Sequence, residues 1–129
     1  MRKPVFVGVL SFLAGAGVMW AQQQSPAASR REPQFENEHM KVWKTIIMPN
    51  QPLSLHRHEH GRALIALTDG PLDVTDKDGK TLSTYDWKKG KAYWLDADPP
   101  GTTHADVNRL DRPVEVIVVE LKNDQPTKP

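Results

Sequence analysis

The chain has 129 residues, with 17 Lys and Arg against 16 Asp and Glu, 38% hydrophobic residues and no cysteine. These totals allow one modest domain and exclude disulfides, thiolate metal ligands and a thiol nucleophile. The formal net charge of +1 lacks the concentrated basic surface that nucleic-acid binding needs, so no nucleic-acid partner is expected.

Arg2 and Lys3 precede an uncharged stretch over residues 4–21, PVFVGVLSFLAGAGVMWA. A short basic start followed by an apolar run rich in small residues reads as a secretory signal over residues 1–21. The alternative is an uncleaved N-terminal anchor, with the membrane met only through residues 4–21; Gly8, Gly15 and Gly17 weigh against a stable span. The expected localisation is therefore export, periplasmic or secreted, with membrane anchoring as the alternative. No twin arginine precedes the run, which favours ordinary secretion. Removing residues 1–21 takes Arg2 and Lys3 from the basic side and nothing from the acidic side, leaving about one net negative charge.

Residues 22–34 (QQQSPAASRREPQ) are polar, hold two prolines and show no apolar period, so they read as a flexible linker. The ordered domain is expected over 35–122, with a disordered tail over 123–129. Within the domain, residues 39–48 (HMKVWKTIIM) alternate β-branched and aromatic side chains and predict a strand. A turn follows at 49–52, where Asn50 tolerates a left-handed backbone. Residues 53–58 predict a second strand carrying histidines, and 62–68 an apolar strand ended by Asp69-Gly70. Strands at 72–75 and 81–85 flank a tight hairpin at 76–80, with Gly79 free to take positive φ. Residues 91–95 predict another strand, and 96–101 a proline-containing loop. Strands at 103–108 and 114–121 complete the series. About eight short strands with closely spaced turns, and no sustained 3.6-residue period, predict an all-β sandwich or barrel.

His56, His58 and His60 stand on alternate positions, so a continuous strand would project them to one face. Neutral imidazoles clustered in this way suit Zn, Cu, Fe or Ni. Two segments then resemble the two motifs of the cupin family. In the first, His56-Arg57-His58 matches the His-x-His pair and Gly70 the closing glycine. Asn50 stands at the opening glycine, and counting back from Gly70 puts Ala63 where the family has a glutamate. In the second, Pro99, Gly101, His104 and Asn108 match all four fixed positions of Pro-x-Gly-x-x-His-x-x-x-Asn, although Gly90 lies three residues further upstream than usual. Either motif alone is weak; both in order on an all-β background are fairly specific.

The resemblance implies an all-β fold, a single small cupin-type jelly-roll β-barrel behind the N-terminal signal or anchor segment. It implies a metal in the barrel mouth held by His56, His58 and His104, with the carboxylate lost at Ala63. The cofactor is then a divalent transition metal, Fe, Mn, Zn, Ni or Cu. His60 is the further candidate ligand, although Gly61 can end the strand before it and a solvated loop position is favoured. Asn108 is read as a strand-end or supporting hydrogen bonder, and Arg62 as solvated beside Glu59, with anion binding as the alternative. Of Trp43, Tyr85, Trp87, Tyr93 and Trp94, one or two are expected near a ligand, and of Tyr93 and Trp94 only one faces inward. The resemblance also allows a homodimer. Two functions stay open: a metal-dependent protein acting on a small molecule, and a non-catalytic ligand-binding or accessory envelope protein with a degenerate, metal-free barrel. Whether the protein is an enzyme is left open; no serine or cysteine nucleophile arrangement is present.

Overall fold

The structure, a computed structural model, describes residues 28–124. The expected signal or anchor, residues 22–27 of the expected linker and residues 125–129 lie outside the described residues. The described residues form eight strands: β1 (Arg30–Glu36), β2 (Met40–Ile47), β3 (Arg62–Ala66), β4 (Gly70–Thr75), β5 (Thr81–Trp87), β6 (Ala92–Leu95), β7 (Ala105–Val107) and β8 (Val114–Leu121). No helix occurs among the described residues. The strands form a five-stranded sheet, β1-β2-β8-β3-β6, and a three-stranded sheet, β5-β4-β7. Every ladder is antiparallel.

Alternation along the strands builds the interior. On β8, Val114, Val116 and Val118 are buried; β2 adds Trp43 and Ile47, β3 adds Leu64 and Ala66, and β4 and β5 add Leu72 and Trp87. These side chains fill the space between the two sheets, each large one contributing about 1.5–3 kcal/mol by leaving water. Asn108 is fully buried and ties the end of this core together. Its Nδ2 donates to the Ile47 carbonyl at 2.9 Å and to the Arg112 carbonyl at 2.6 Å, and its Oδ1 accepts from the Leu110 N–H at 2.9 Å.

The turn chemistry follows the sequence. Asn50 has φ 54°, and Gly79, Gly90 and Gly101 have φ near 80°. Two elements differ. β1 begins at Arg30, inside the stretch expected as a linker, because β2 supplies it with a ladder from Arg30↔Ile46 to Glu36↔Lys41. An edge strand of this kind needs no apolar alternation; six of its seven residues are exposed. Conversely, residues 53–58 are not a strand. Their one bridge is His56↔His104, with reciprocal N–H···O=C bonds of 2.9 Å, supplemented by the Leu53 N–H donating to the Asp106 carbonyl at 3.2 Å. Just beyond it, Asp98 replaces the ladder: its carboxylate accepts the His58 N–H at 2.7 Å, and its own N–H donates to the His58 carbonyl at 2.8 Å.

Candidate metal centre

The single bridge sets the site, because it puts His56 beside His104 from a segment far away in sequence. The ring centroids of His56 and His104 are 4.4 Å apart, and those of His56 and His58 are 5.1 Å apart. One ring nitrogen from each of His56, His58 and His104 lies within 4.8 Å of the others. His58 and His104 are buried and His56 is nearly so.

Each imidazole has its Nδ1 facing an acceptor. His56 Nδ1 lies 2.7 Å from the Ser54 carbonyl oxygen. His58 Nδ1 lies 2.8 Å from Glu120 Oε1, and the His58 ring stacks parallel to Trp43 at 6.2 Å. His104 Nδ1 lies 3.4 Å from Asp98 Oδ2. At His56 and His58, where the acceptor lies within hydrogen-bond distance, the proton belongs on Nδ1, which leaves the lone pair on Nε2. This is the supporting arrangement that orients metal-binding histidines and raises their basicity. Burial holds the His58 pKa below its ordinary value, with the Glu120 hydrogen bond acting against it. Burial likewise lowers His104, opposed by the Asp106 carboxylate and reinforced by His56. Lowered values keep imidazoles neutral at neutral pH, the form that binds metal. The donor set fits a borderline transition metal: three imidazole nitrogens, no thiolate, and oxygen donors nearby.

The interior around this cluster is lined by Trp43, Tyr85 and Trp87 and by apolar residues of β2, β3 and β8. Three of the five aromatics therefore reach it, one more than expected, because β2 and β5 both turn an aromatic-bearing face inward. Tyr93 packs against the core while Trp94 is 55% exposed, the expected split of that pair. The free interior volume is about 30 Å³, enough for an ion with a water molecule.

His60 is not brought into the three-histidine group. Its Nδ1 faces Asp124 Oδ1 at 2.7 Å, and the other Asp124 oxygen accepts the Gly61 N–H at 2.6 Å. Residues 59 and 60 form a bend that turns His60 toward the chain end. Ala63 is half-buried, pairs with Trp94 and Val119, and does not line the interior. The inward position beside it belongs to Arg62, at 4% exposure. The expectation that Arg62 is solvated is corrected: β3 alternation buries Arg62, Leu64 and Ala66 together. Arg62 Nη1 donates to the Asp96 carbonyl at 3.1 Å, bracing the loop that carries Asp98.

Sequence reasoning passed over Glu120, Asp98 and Asp106. Two had a signal. Glu120 falls in the alternation of Val114, Val116 and Val118, and Asp106 stands two residues from His104, so each shares the inward face of its strand. Asp98 had none, since a loop has no period.

No protein-family model matches the chain, and no curated relative matches it. Solved structures do. A cupin domain from Bordetella pertussis superposes with a TM-score of 0.64 at 23% identity, covering 76% of this chain and 97% of that one. A double-stranded β-helix domain protein from Klebsiella pneumoniae gives 0.56 at 20% identity, covering 78% and 82%. An RmlC-like cupin protein from Methanocaldococcus jannaschii gives 0.55 at 15% identity, covering 78% and 84%. At these identities the likeness is one of fold: the chain has the cupin, or double-stranded β-helix, fold, with three histidines clustered in its interior.

Proposed function

We propose that this is an exported cupin-fold protein that holds one divalent transition metal ion through His56, His58 and His104 and presents it to a small molecule. The observation that carries the reading is the convergence of three imidazole nitrogens within 4.8 Å, each ring having its Nδ1 against an acceptor. Bound there, such an ion supplies Lewis acidity toward an oxygen or nitrogen donor. The protein's own part is to orient the imidazoles, hold His58 and His104 neutral and limit access by water. A groove lined by Ser29, Arg30, Arg31, Leu53, Ser54 and His56 is the approach for the small molecule. Export rests on Arg2, Lys3 and the uncharged residues 4–21, and agrees with a chain that has no thiol to protect. The metal-free ligand-binding alternative has less support, because it leaves the convergence of three imidazole nitrogens without a role.

The test is a thermal melt of protein made without an affinity tag, with and without Zn(II), Mn(II), Fe(II), Co(II), Ni(II) or Cu(II). Metal at a hundredfold its Kd adds about 2.7 kcal/mol, about 10 °C or more for a domain of this size. The shift is expected in the native protein and lost in His58→Ala and His104→Ala. Equal shifts in all three proteins, or none with any metal, would contradict the proposal. Export is checked by fractionation, with the expected recovery outside the cytoplasm.

A further inference from the structure

We infer that Asp106 is the carboxylate ligand of this metal site, supplied by β7 in place of an acidic residue on β3. The inference rests on the three-histidine reading and extends it to a residue outside that group.

Three carboxylates surround the histidines, and they are not equivalent. Glu120 is engaged by His58 Nδ1 at 2.8 Å. Asp98 accepts the His58 N–H at 2.7 Å, with His104 Nδ1 at 3.4 Å and Arg62 Nη2 at 4.0 Å. Both act from behind the rings, on the Nδ1 side. The Asp106 carboxylate alone accepts no hydrogen bond among the described residues. Its side chain is 13% exposed, it lines the interior with the histidines, and its near polar neighbour is His56 Nε2, 3.6 Å from Oδ2. A carboxylate largely removed from water favours a cationic partner.

The Asp106–His56 contact shows what would satisfy it. His56 Nδ1 faces the Ser54 carbonyl, which can only accept, so the proton is on Nδ1. In the neutral ring Nε2 then presents a lone pair to the lone pairs of Asp106. Protonating Nε2 would not make a hydrogen bond either, because 3.6 Å is too long for one. A cation between the two atoms satisfies both. Two donors each about 2.1 Å from one tetrahedral ion stand about 3.4 Å apart, close to the observed separation. The imidazoles form the tight group and Asp106 stands at its edge beside His56. Ligation requires the Asp106 side chain to turn from His56 toward the group.

The position explains why β3 needs no acid. Arg62 occupies the inward site at the start of β3. A carboxylate contributed from β7, two residues after His104, supplies the same charge from the opposite sheet. The site then becomes three imidazoles and one carboxylate, with one ligand pair, His104 and Asp106, on a single extended segment.

Co(II) titration of the tag-free protein tests this, because its visible spectrum reports coordination number as well as affinity. Asp106→Asn keeps the shape and removes no hydrogen bond, so the variant should fold; its melt without metal checks that. The expected result is one Co(II) per chain in the native protein, at least 100-fold weaker binding in Asp106→Asn with an altered visible band, and recovery to within tenfold in Asp106→Glu. Native-like affinity and spectrum in Asp106→Asn would overturn the inference while leaving the three-histidine site standing. Absence of Co(II) binding in the native protein would overturn the inference, and the three-histidine reading with it if Zn(II), Mn(II), Fe(II), Ni(II) and Cu(II) also fail to bind. Should Asp106→Asn fail to fold, Asp106→Glu decides: a carboxylate one methylene longer must shift the Co(II) band if it is a ligand, and an unchanged band refutes ligation.

Discussion

Glu120 gives the sharpest check on how the histidines are held. It touches no ion in this account, yet its Oε1 lies 2.8 Å from His58 Nδ1, with side chains only 19% and 7% exposed. Burial alone would raise the Glu120 carboxyl, but the hydrogen bond from His58 and the positive charge of Arg62 outweigh it and leave it lowered. Glu120→Ala removes the acceptor, frees the ring to rotate and leaves a buried N–H without a partner. Loss of such a supporting carboxylate weakens metal binding 10–100-fold, about 1.4–2.7 kcal/mol. The orphaned N–H costs the metal-free fold about 1–3 kcal/mol as well. Glu120→Gln keeps an amide oxygen that can accept, so its loss should lie at the lower end. Competition titration of Zn(II) against a chromophoric chelator measures the affinity, and a melt of the metal-free protein measures the fold. Native affinity in Glu120→Ala would refute the claim that Glu120 orients His58.

Three further outcomes follow from particular contacts. Asn108→Ala removes hydrogen bonds to Ile47, Leu110 and Arg112 at a fully buried position, and should cost about 3 kcal/mol or more in urea unfolding; a loss under about 1 kcal/mol would contradict the role given to it. His60→Ala should leave metal stoichiometry and affinity unchanged, since His60 faces Asp124 outside the cluster; loss of the metal on direct analysis would restore His60 as a ligand. Asp73 is held below its ordinary pKa first by the Arg109 hydrogen bond at 2.6 Å and then by Thr84. A lowered carboxylate stabilises the fold fully above the unfolded value near pH 4, and that share is lost as pH falls through the folded value. Asp73→Asn should therefore flatten the acid limb of Tm against pH. The change should stay under about 1 kcal/mol, because the Arg109 side chain is 58% exposed; an unchanged acid limb would show that the pair contributes nothing.

The strands that carry the core were legible because burial imposes a period. Residues 114–121 alternate so regularly that the predicted and observed strands coincide, and the predicted turns at Asn50 and Gly79 have the expected backbone. β1 was not legible, because an exposed edge strand takes its hydrogen bonds from β2 and needs no apolar pattern. The histidine segment misled in the opposite direction. It has strand-like alternation, but Asp98 ends its pairing after one bridge and carries His58 and His104 from behind. The three histidines were therefore found by motif, while the groups that orient them come from β8 and a loop with no sequence signature. Ala63 was the focus of the sequence reading because spacing from Gly70 selects it. The alternation of β3 instead makes Arg62 the inward residue, and the nearest unengaged carboxylate lies on β7 at Asp106.

The most direct test of the central claim is the metal content of native protein purified without an affinity tag, measured by mass spectrometry of the dissolved sample beside the His56→Ala, His58→Ala and His104→Ala variants. The account predicts close to one equivalent of a divalent transition metal in the native protein, with loss of most of it in each variant. Fully folded native protein that carries no metal, and takes up none when offered Fe, Mn, Zn, Ni, Cu or Co, would contradict it.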